Sequence, residues 1–183
     1  MKHCGTVELT TDRLILRRFC VEDAERMYRN WASDDEVTKF LTWPSHGSAE
    51  GTKQLIEVWE KEYNNQNTYN WAITLKNETD NPIGSIGIVE QNEAVDKVQI
   101  GYCIGKKWWN QGITSEALQA VITFLFEQVG ANRIEAKHDT NNQNSGSVMK
   151  KCGMTFEGIL RQSDRNNQGI CDTSYYSILK SEC

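Results

Sequence analysis

Proline and long apolar runs are scarce in this sequence, and both absences limit what the chain can be. Only two prolines occur in 183 residues, with no stretch rich in glycine and serine and no internal repeat, so we expect one continuous domain over residues 1–183. No apolar run approaches the roughly 18 residues of a membrane span, and no apolar leader follows Met1. We therefore expect a cytoplasmic protein with no membrane partner.

Basic residues are outnumbered by acidic ones. The sequence has 20 Lys and Arg against 25 Asp and Glu, which is a formal net charge of −5. A negatively charged chain is not drawn to a polyphosphate backbone, so we expect no nucleic-acid partner. The charge balance suits a cationic small molecule or a basic peptide instead.

The cysteines lack the spacings that make metal sites or disulfide frameworks. Neither a Cys-x-x-Cys pair nor a Cys/His ligand pattern occurs, so we expect no metal and no disulfide scaffold. We expect most of the six to be ordinary buried or surface thiols: Cys4, Cys20, Cys103, Cys152, Cys171 and Cys183.

Apolar periodicity predicts an α/β (α+β) chain. Alternation with a period of two predicts strands over residues 9–19, 71–75, 83–89, 98–104, 133–138, 154–160 and 170–179. Spacings of three and four predict helices over residues 21–31, 55–63, 113–129 and 142–152. The turn-rich segment 92–97 predicts an antiparallel hairpin, whereas the helix between residues 104 and 133 predicts a parallel strand pair.

The segment 108–118 carries the clearest indication of a ligand. Gly112 stands between a predicted strand and a strongly amphipathic helix, so the unpaired amides of the helix N-terminus are available to a phosphate or pyrophosphate. The segment lacks the lysine of a nucleotide P-loop and the three glycines of a dinucleotide fingerprint. The alternative interpretation is an ordinary helix start capped by Thr114 or Ser115, with Glu116 in the first turn.

Five short strings, in order along the chain, resemble the GNAT N-acetyltransferases of the RimJ/RimL-like branch. They are Thr11-x-Arg13-Leu14-x-Leu16-Arg17, Ile100-Gly101-Tyr102, Asn142-x-x-Ser145, Lys151-x-Gly153 and Glu157-Gly158-x-Leu160-Arg161. The resemblance implies a mixed, largely antiparallel central sheet with flanking helices, whose parallel strand pair splays apart at the acyl-CoA site. It also implies direct transfer of an acetyl group from acetyl-CoA to a primary amine, either a protein N-terminus or a small amine, without a metal.

The same resemblance implies which residues bind the cofactor. A strand edge would bond the pantetheine arm, the turn would bind the diphosphate, and the start of the following helix would complete the site. The implied residues are Cys103, Ile104, Gln111, Gly112, Ile113, Thr114, Ser115, Asn142 and Ser145. Cys103 is expected to be structural, because transfer in this superfamily is usually direct. Asn142 and Ser145 lie one helical turn apart, so simple capping of the helix is the alternative for them.

Three positions depart from the family pattern and shift the catalytic assignments. Trp109 replaces the polar residue that begins the pyrophosphate motif, Gln99 replaces a frequent glutamate, and Met149 replaces a tyrosine acid. Ser145 is therefore our candidate for protonating the leaving thiolate.

The base and the acceptor pocket are less well defined by the sequence. We assign Glu90 as the base, with His138 or a water chain as alternatives. Trp43 and His46, in a loop of the half that usually shapes the acceptor pocket, are our candidates for contacting the substrate. The departures also leave open a catalytically silent acyl-CoA-binding regulatory module. An exposed strand edge after Cys171 is compatible with a homodimer.

Overall fold

The alternating segments form one mixed sheet in the computed structural model, which describes residues 1–182. The strands are β1 (Leu9–Thr10), β2 (Leu14–Arg17), β3 (Asn70–Leu75), β4 (Glu78–Asn92), β5 (Lys97–Ile104), β6 (Arg133–Asp139), β7 (Thr155–Asn166) and β8 (Gly169–Leu179). They lie in the order β1-β2-β3-β4-β5-β6-β8-β7. Only β5 and β6 pair in parallel, and every other pair is antiparallel.

Helices cover both faces of this sheet. They are α1 (Ala24–Met27), α2 (Asp35–Thr38), α3 (Ala49–Glu62), α4 (Ile113–Phe124) and α5 (Gln143–Lys151). One π-helical turn extends α1 over Tyr28–Ala32, and another extends α4 over Leu125–Val129. The predicted fold class is confirmed: a largely antiparallel sheet holds one parallel pair, because α4 crosses over between β5 and β6.

Alternate residues of β3 show how the two faces are filled. Trp71 and Ile73 are fully buried in the larger core cluster, which also contains the apolar side of α4. Ala72 points the other way and packs in a second cluster with Trp31 and Ile56 from the α1 and α3 side. Successive side chains of a strand face opposite sides of the sheet, so each face has its own core.

The strands predicted over 83–89 and 154–160 are longer in the structure, as β4 and β7. Two other predicted elements differ for local reasons. The predicted strand over residues 9–19 is broken into β1 and β2, because the backbone N–H of Thr11 donates to the carbonyl of Leu14 and closes a turn. The predicted helix over residues 55–63 begins earlier, as α3, because the Ser48 hydroxyl caps it by accepting from the Gly51 N–H at 3.1 Å. The four-residue helix α2 was not predicted, because it is too short to show a period.

No helix within residues 1–182 is long and apolar enough to cross a membrane. In the same part of the chain, no cluster of three His, Cys, Asp or Glu side chains is arranged to hold a metal ion. The five cysteines described there are unpaired thiols. Cys183 lies outside the described residues.

Candidate active site

The parallel strands separate partway along their length. Backbone pairing of β5 with β6 runs from Lys97 opposite Arg133 to Ile100 opposite Ala136 and then stops. Beyond that point β5 stays paired with β4 as far as Ile104, while β6 stays paired with β8. The predicted splay is therefore present, and it leaves the last residues of β5 without a strand partner on one side.

Two cavities meet at this opening. The larger has a volume of about 820 Å³ and the smaller about 480 Å³. The same six residues line both: Phe40, Leu41, Tyr102, Cys103, Asn142 and Ser145. These six residues therefore form a wall that the two cavities share.

The glycine turn forms one wall of the smaller cavity. Gly112 is the N-cap of α4 in the left-handed region (φ 74°, ψ 2°), and no side chain caps the helix. The capping role considered for Thr114 or Ser115 is therefore wrong. The Glu116 N–H is the first to bond within the helix, to the Gly112 carbonyl, so the amides of Ile113 to Ser115 precede the intrahelical ladder. Gly112 to Ser115 all line the smaller cavity.

Gln111, directly before Gly112, does not face the cavity as the resemblance implied. The Gln111 side chain donates to the Lys107 carbonyl at 2.9 Å, and the Gln111 carbonyl accepts from Arg13. Gln111 consequently lines neither cavity, which argues against its predicted contact with the cofactor. Trp109 does line the smaller cavity, and its indole N–H donates to the Ile104 carbonyl at 2.9 Å. That bond pins the end of β5 to the turn.

The start of α5 places a serine hydroxyl at the shared wall. The Asn142 side chain accepts from the Ser145 N–H at 3.4 Å, so Asn142 does cap the helix. Asn142 also lines both cavities. The Ser145 hydroxyl lies 3.1 Å from the phenol oxygen of Tyr102, and that phenol also donates to the Ser145 carbonyl at 3.0 Å.

Tyr102 is the site residue that sequence reasoning missed. Burial raises the pKa of its phenol, so the hydroxyl stays protonated and acts as a hydrogen-bond donor at neutral pH. The string Ile100-Gly101-Tyr102 was the only available signal, because nothing in the sequence joins Tyr102 to a residue 43 positions later. At the family's tyrosine position, Met149 is buried in the main core and supplies no polar group.

Glu90 and His138 both line the larger cavity, but their side chains differ in exposure and in hydrogen bonding. The Glu90 side chain is 56% exposed, and its carboxylate lies 3.6 Å from the Lys97 ammonium. His138 is tied down: Nδ1 lies 2.7 Å from the Asp139 carbonyl, and Nε2 is buried with no hydrogen-bond partner. A Cβ placed on Gly146 would be 2.6 Å from that Nε2, so helix α5 covers it. This arrangement argues against His138 as the base.

Cys103 has the properties of a structural thiol. Its sulfur lies 3.2 Å from the Ser85 hydroxyl, and burial raises its pKa. A thiol that resists ionisation is a poor nucleophile.

Trp43 borders the larger cavity, whereas His46 does not. The two rings lie 5.4 Å apart, and Nδ1 of His46 is 2.7 Å from the hydroxyl of Thr52. His46 therefore supports the ring of Trp43 instead of contacting the cavity. This changes its predicted role.

The tip of the β7–β8 hairpin closes over the same loop. The Asn167 amide donates to the carbonyls of Thr38 and Trp43, both at 2.8 Å, and its backbone N–H donates to the Leu41 carbonyl. The neighbouring residues 164–166 line the larger cavity together with 40–43. Residues 40–43 and 164–166, which are more than a hundred positions apart in the chain, thus line the larger cavity together.

Comparison with known proteins agrees with this geometry. The family model described as "Acetyltransferase (GNAT) domain" matches residues 13–155. An uncharacterized N-acetyltransferase of Bacillus subtilis, YoaA, is 34% identical over 172 residues, covering 94% of this chain and 96% of that protein. The [Ribosomal protein uS5]-alanine N-acetyltransferase of Escherichia coli is 26% identical, covering 85% of this chain and 81% of that one.

A solved structure extends the comparison to the whole fold. RimL, an α-N-protein acetyltransferase in complex with coenzyme A, matches with a TM-score of 0.84 at 19% identity, covering 97% of this chain and 100% of that chain. At this identity the likeness concerns the fold alone. With the family match, the splayed strands and the two adjoining cavities, the chain belongs to the GNAT acetyltransferase family, in its RimJ/RimL-like branch, and is an N-acetyltransferase that uses acetyl-CoA.

Proposed function

We propose that the smaller cavity receives acetyl-CoA, that the larger receives a primary amine, and that the acetyl group crosses their shared wall. The observation that carries this proposal is the wall itself, which presents Tyr102, Asn142 and Ser145 to both cavities. Residues 1–183 would act as one acetyltransferase domain in the cytoplasm. The five cysteines that the structure describes are free thiols.

The donor side has groups that suit each part of acetyl-CoA. The amides of Ile113, Thr114 and Ser115 stand at a helix N-terminus, where the dipole favours a diphosphate. The edge of β5 at Cys103 and Ile104 has no strand partner on its β6 side and suits strand-like bonding of the pantetheine arm, although the Ile104 carbonyl already accepts from Trp109; Asn142 lines the same cavity. Lys151 also lines this cavity and adds a positive charge. The residues present therefore fit the cofactor.

Acetyl transfer requires a neutral amine and a stabilised leaving group. The amine nitrogen bonds to the thioester carbonyl carbon, the carbon–sulfur bond breaks, and the electron pair leaves with sulfur as a thiolate. Ser145 gives its hydroxyl proton to that thiolate, while Tyr102 turns its hydroxyl toward the Ser145 oxygen. Glu90 takes the proton that the amine loses and returns it, through solvent, to Ser145. No acyl-enzyme forms.

Glu90 is the proposed base, and its role is the first to be tested. It is the exposed carboxylate on the strand next to β5, and it lines the amine cavity. Glu90→Gln should lower turnover, whereas His138→Asn should leave turnover nearly unchanged. Turnover that neither substitution lowers would assign the proton to a water chain.

The acceptor is a protein N-terminus or a small amine, and the experiment must separate the two. Release of free thiol from acetyl-CoA would be measured against peptides beginning with Ser or Ala, polyamines, amino acids and aminoglycosides, with products identified by mass spectrometry. The relative named for alanine of uS5 makes Ala-initiated peptides the first to try. Tight binding of acetyl-CoA without thiol release on any acceptor would favour the silent regulatory module.

We also propose that the protein forms a homodimer through β7. This strand is at the edge of the sheet, so one side of its backbone has no strand partner. Phe156, Ile159 and Leu160 on β7, with Ile170 on β8, are exposed large apolar residues. A second copy placed along this edge would cover both the backbone row and the apolar side chains.

A further inference from the structure

A polar clamp, formed by Thr11 and Arg13 from the turn between β1 and β2 and by Glu116 from α4, holds the back of the glycine turn. The Glu116 carboxylate, in the first turn of α4, accepts from the Thr11 hydroxyl at 2.5 Å, from the Arg13 backbone N–H at 2.9 Å and from Arg13 Nε at 2.6 Å. Nη1 of Arg13 also donates to the Gln111 carbonyl at 3.0 Å. Arg13 therefore bonds the chain on both sides of Gly112.

The clamp is itself anchored to the sheet. The Thr11 hydroxyl accepts from the Leu14 N–H at 2.9 Å, and the Thr11 N–H donates to the Leu14 carbonyl. These bonds close the turn between β1 and β2. The backbone at Arg13 is thus held in place by the sheet.

The turn needs such an external support. No side chain caps α4, and both Asn110 (φ 59°) and Gly112 (φ 74°) are in the left-handed region. An ideal Cβ on Gly112 would lie 3.6 Å from Nη2 of Arg13, so the guanidinium lies directly against the turn. Trp109, at the motif's polar position, points its N–H at Ile104 instead.

Charge gives the clamp a second effect. A bare carboxylate in the first turn of α4 would repel an anionic ligand at the same helix end. The Arg13 guanidinium neutralises that carboxylate through a single bond from Nε to one oxygen, while the Arg13 backbone N–H bonds the other oxygen.

We propose that Arg13 and Glu116 are positioning residues for the diphosphate of acetyl-CoA: they hold the 110–112 turn in its binding conformation and cancel the carboxylate charge beside it. The proposal rests on the assignment of the smaller cavity to acetyl-CoA. It accounts for the Thr-x-Arg string at the start of the chain, which the transfer chemistry does not use. It also accounts for a diphosphate site whose motif lacks its polar side chain.

The test separates diphosphate binding from general stability by using two ligands. Affinity for CoA would be measured by calorimetry, and affinity for pantetheine, which lacks the diphosphate, by competition with CoA. Arg13→Met removes both guanidinium hydrogen bonds; it should weaken CoA binding about tenfold and change pantetheine binding less than about twofold. The CoA affinity of Arg13→Lys should lie between those of Arg13→Met and the unmodified protein, because one ammonium cannot bond both Glu116 and Gln111.

A double variant tests the charge component. Arg13→Met combined with Glu116→Gln should recover part of the lost CoA affinity, because the unpaired carboxylate is then gone. Arg26→Met is the matched control: Arg26 is 45% exposed against 51% for Arg13, forms an ion pair with Asp80 and lines neither cavity. The Arg26→Met variant should bind CoA and pantetheine with the same affinities as the unmodified protein.

The outcomes are distinguishable from failure of the proposed function. If the unmodified protein does not bind CoA, the assignment of the cavity is wrong. If it binds CoA and Arg13→Met weakens both ligands equally, or neither, the clamp proposal is overturned and the cavity assignment stands.

Discussion

The Tyr102 and Ser145 hydroxyls form the smallest unit of the proposed chemistry. The phenol has one proton and two nearby acceptors, the Ser145 carbonyl at 3.0 Å and its hydroxyl oxygen at 3.1 Å. When a thiolate draws the serine proton forward, the phenol can turn to donate to the serine oxygen. Tyr102 thus stabilises the negative charge that develops on the Ser145 oxygen as its proton leaves.

The first prediction concerns this pair. Ser145→Ala should lower kcat with saturating amine about 100-fold, and Tyr102→Phe about tenfold. Because Tyr102 acts through the serine, the double variant should be no slower than Ser145→Ala alone. Tyr63→Phe is the control, since Tyr63 is a buried, hydrogen-bonded tyrosine outside both cavities. Additive losses in the double variant would assign Tyr102 a merely structural role.

His138 makes stability depend on pH. Burial lowers the pKa of its imidazole from 6.5, and the Lys150 charge lowers it further, although the hydrogen bond to the Asp139 carbonyl and the Asp139 charge act in the opposite direction. The unfolded chain therefore binds more protons than the folded one between pH 6.5 and the lowered pKa. The free energy of unfolding must fall as the pH drops through that window.

The second prediction follows from this fall in the free energy of unfolding at lower pH. Urea unfolding at pH 7.5 and pH 5.5 should show a smaller loss of stability for His138→Gln than for the unmodified protein. His46→Gln provides a comparison, because burial also lowers the His46 pKa and should contribute its own share. An unchanged pH dependence in His138→Gln would show that the imidazole does not titrate as its burial implies.

At the scale of elements, the contact between α5 and β6 depends on a glycine. Gly146 lies in α5, where alanine would ordinarily stabilise a helix by roughly 0.5–1 kcal/mol. An added methyl group would meet the Nε2 atom of His138 at 2.6 Å. The close approach of helix to strand is what brings Ser145 to the shared wall.

The third prediction tests this approach. Gly146→Ala should lower the free energy of unfolding by about 1–3 kcal/mol through overpacking, and His138→Ala in the same chain should relieve the loss. Gly51→Ala in α3 is the control, because the nearest atom to its added Cβ is 3.6 Å away. We expect Gly51→Ala to be neutral or stabilising. Equal effects of the two alanine substitutions would contradict the contact.

The elements themselves were largely predictable. The apolar period of α4, the parallel pair around it and the antiparallel hairpin of β4 and β5 all follow from spacing along the chain. Where prediction was wrong, hydrogen bonds of single polar residues intervened. Ser48 started α3 six residues early relative to the apolar pattern, and Thr11 divided the first strand.

At the scale of the whole molecule, the β7 edge leads to the last prediction. Light scattering or sedimentation should show a dimer for the unmodified protein and a monomer for Leu160→Lys, since a charge at the edge opposes strand pairing. Val95→Lys is the control, because Val95 is similarly exposed in the turn between β4 and β5. A monomeric unmodified protein would contradict the proposed homodimer.

The sequence by itself determined most of the elements, their order, a glycine turn before α4 and the resemblance to the acetyltransferase family. These depend on residues close together in the chain, whose periodicity can be read directly. Only the tertiary structure decided that Arg13 bonds Glu116, that Tyr102 bonds Ser145 and that Asn167 bonds the carbonyl of Thr38. Such contacts join residues 43 to 129 positions apart, and they depend on sheet register and helix placement, which no local pattern encodes.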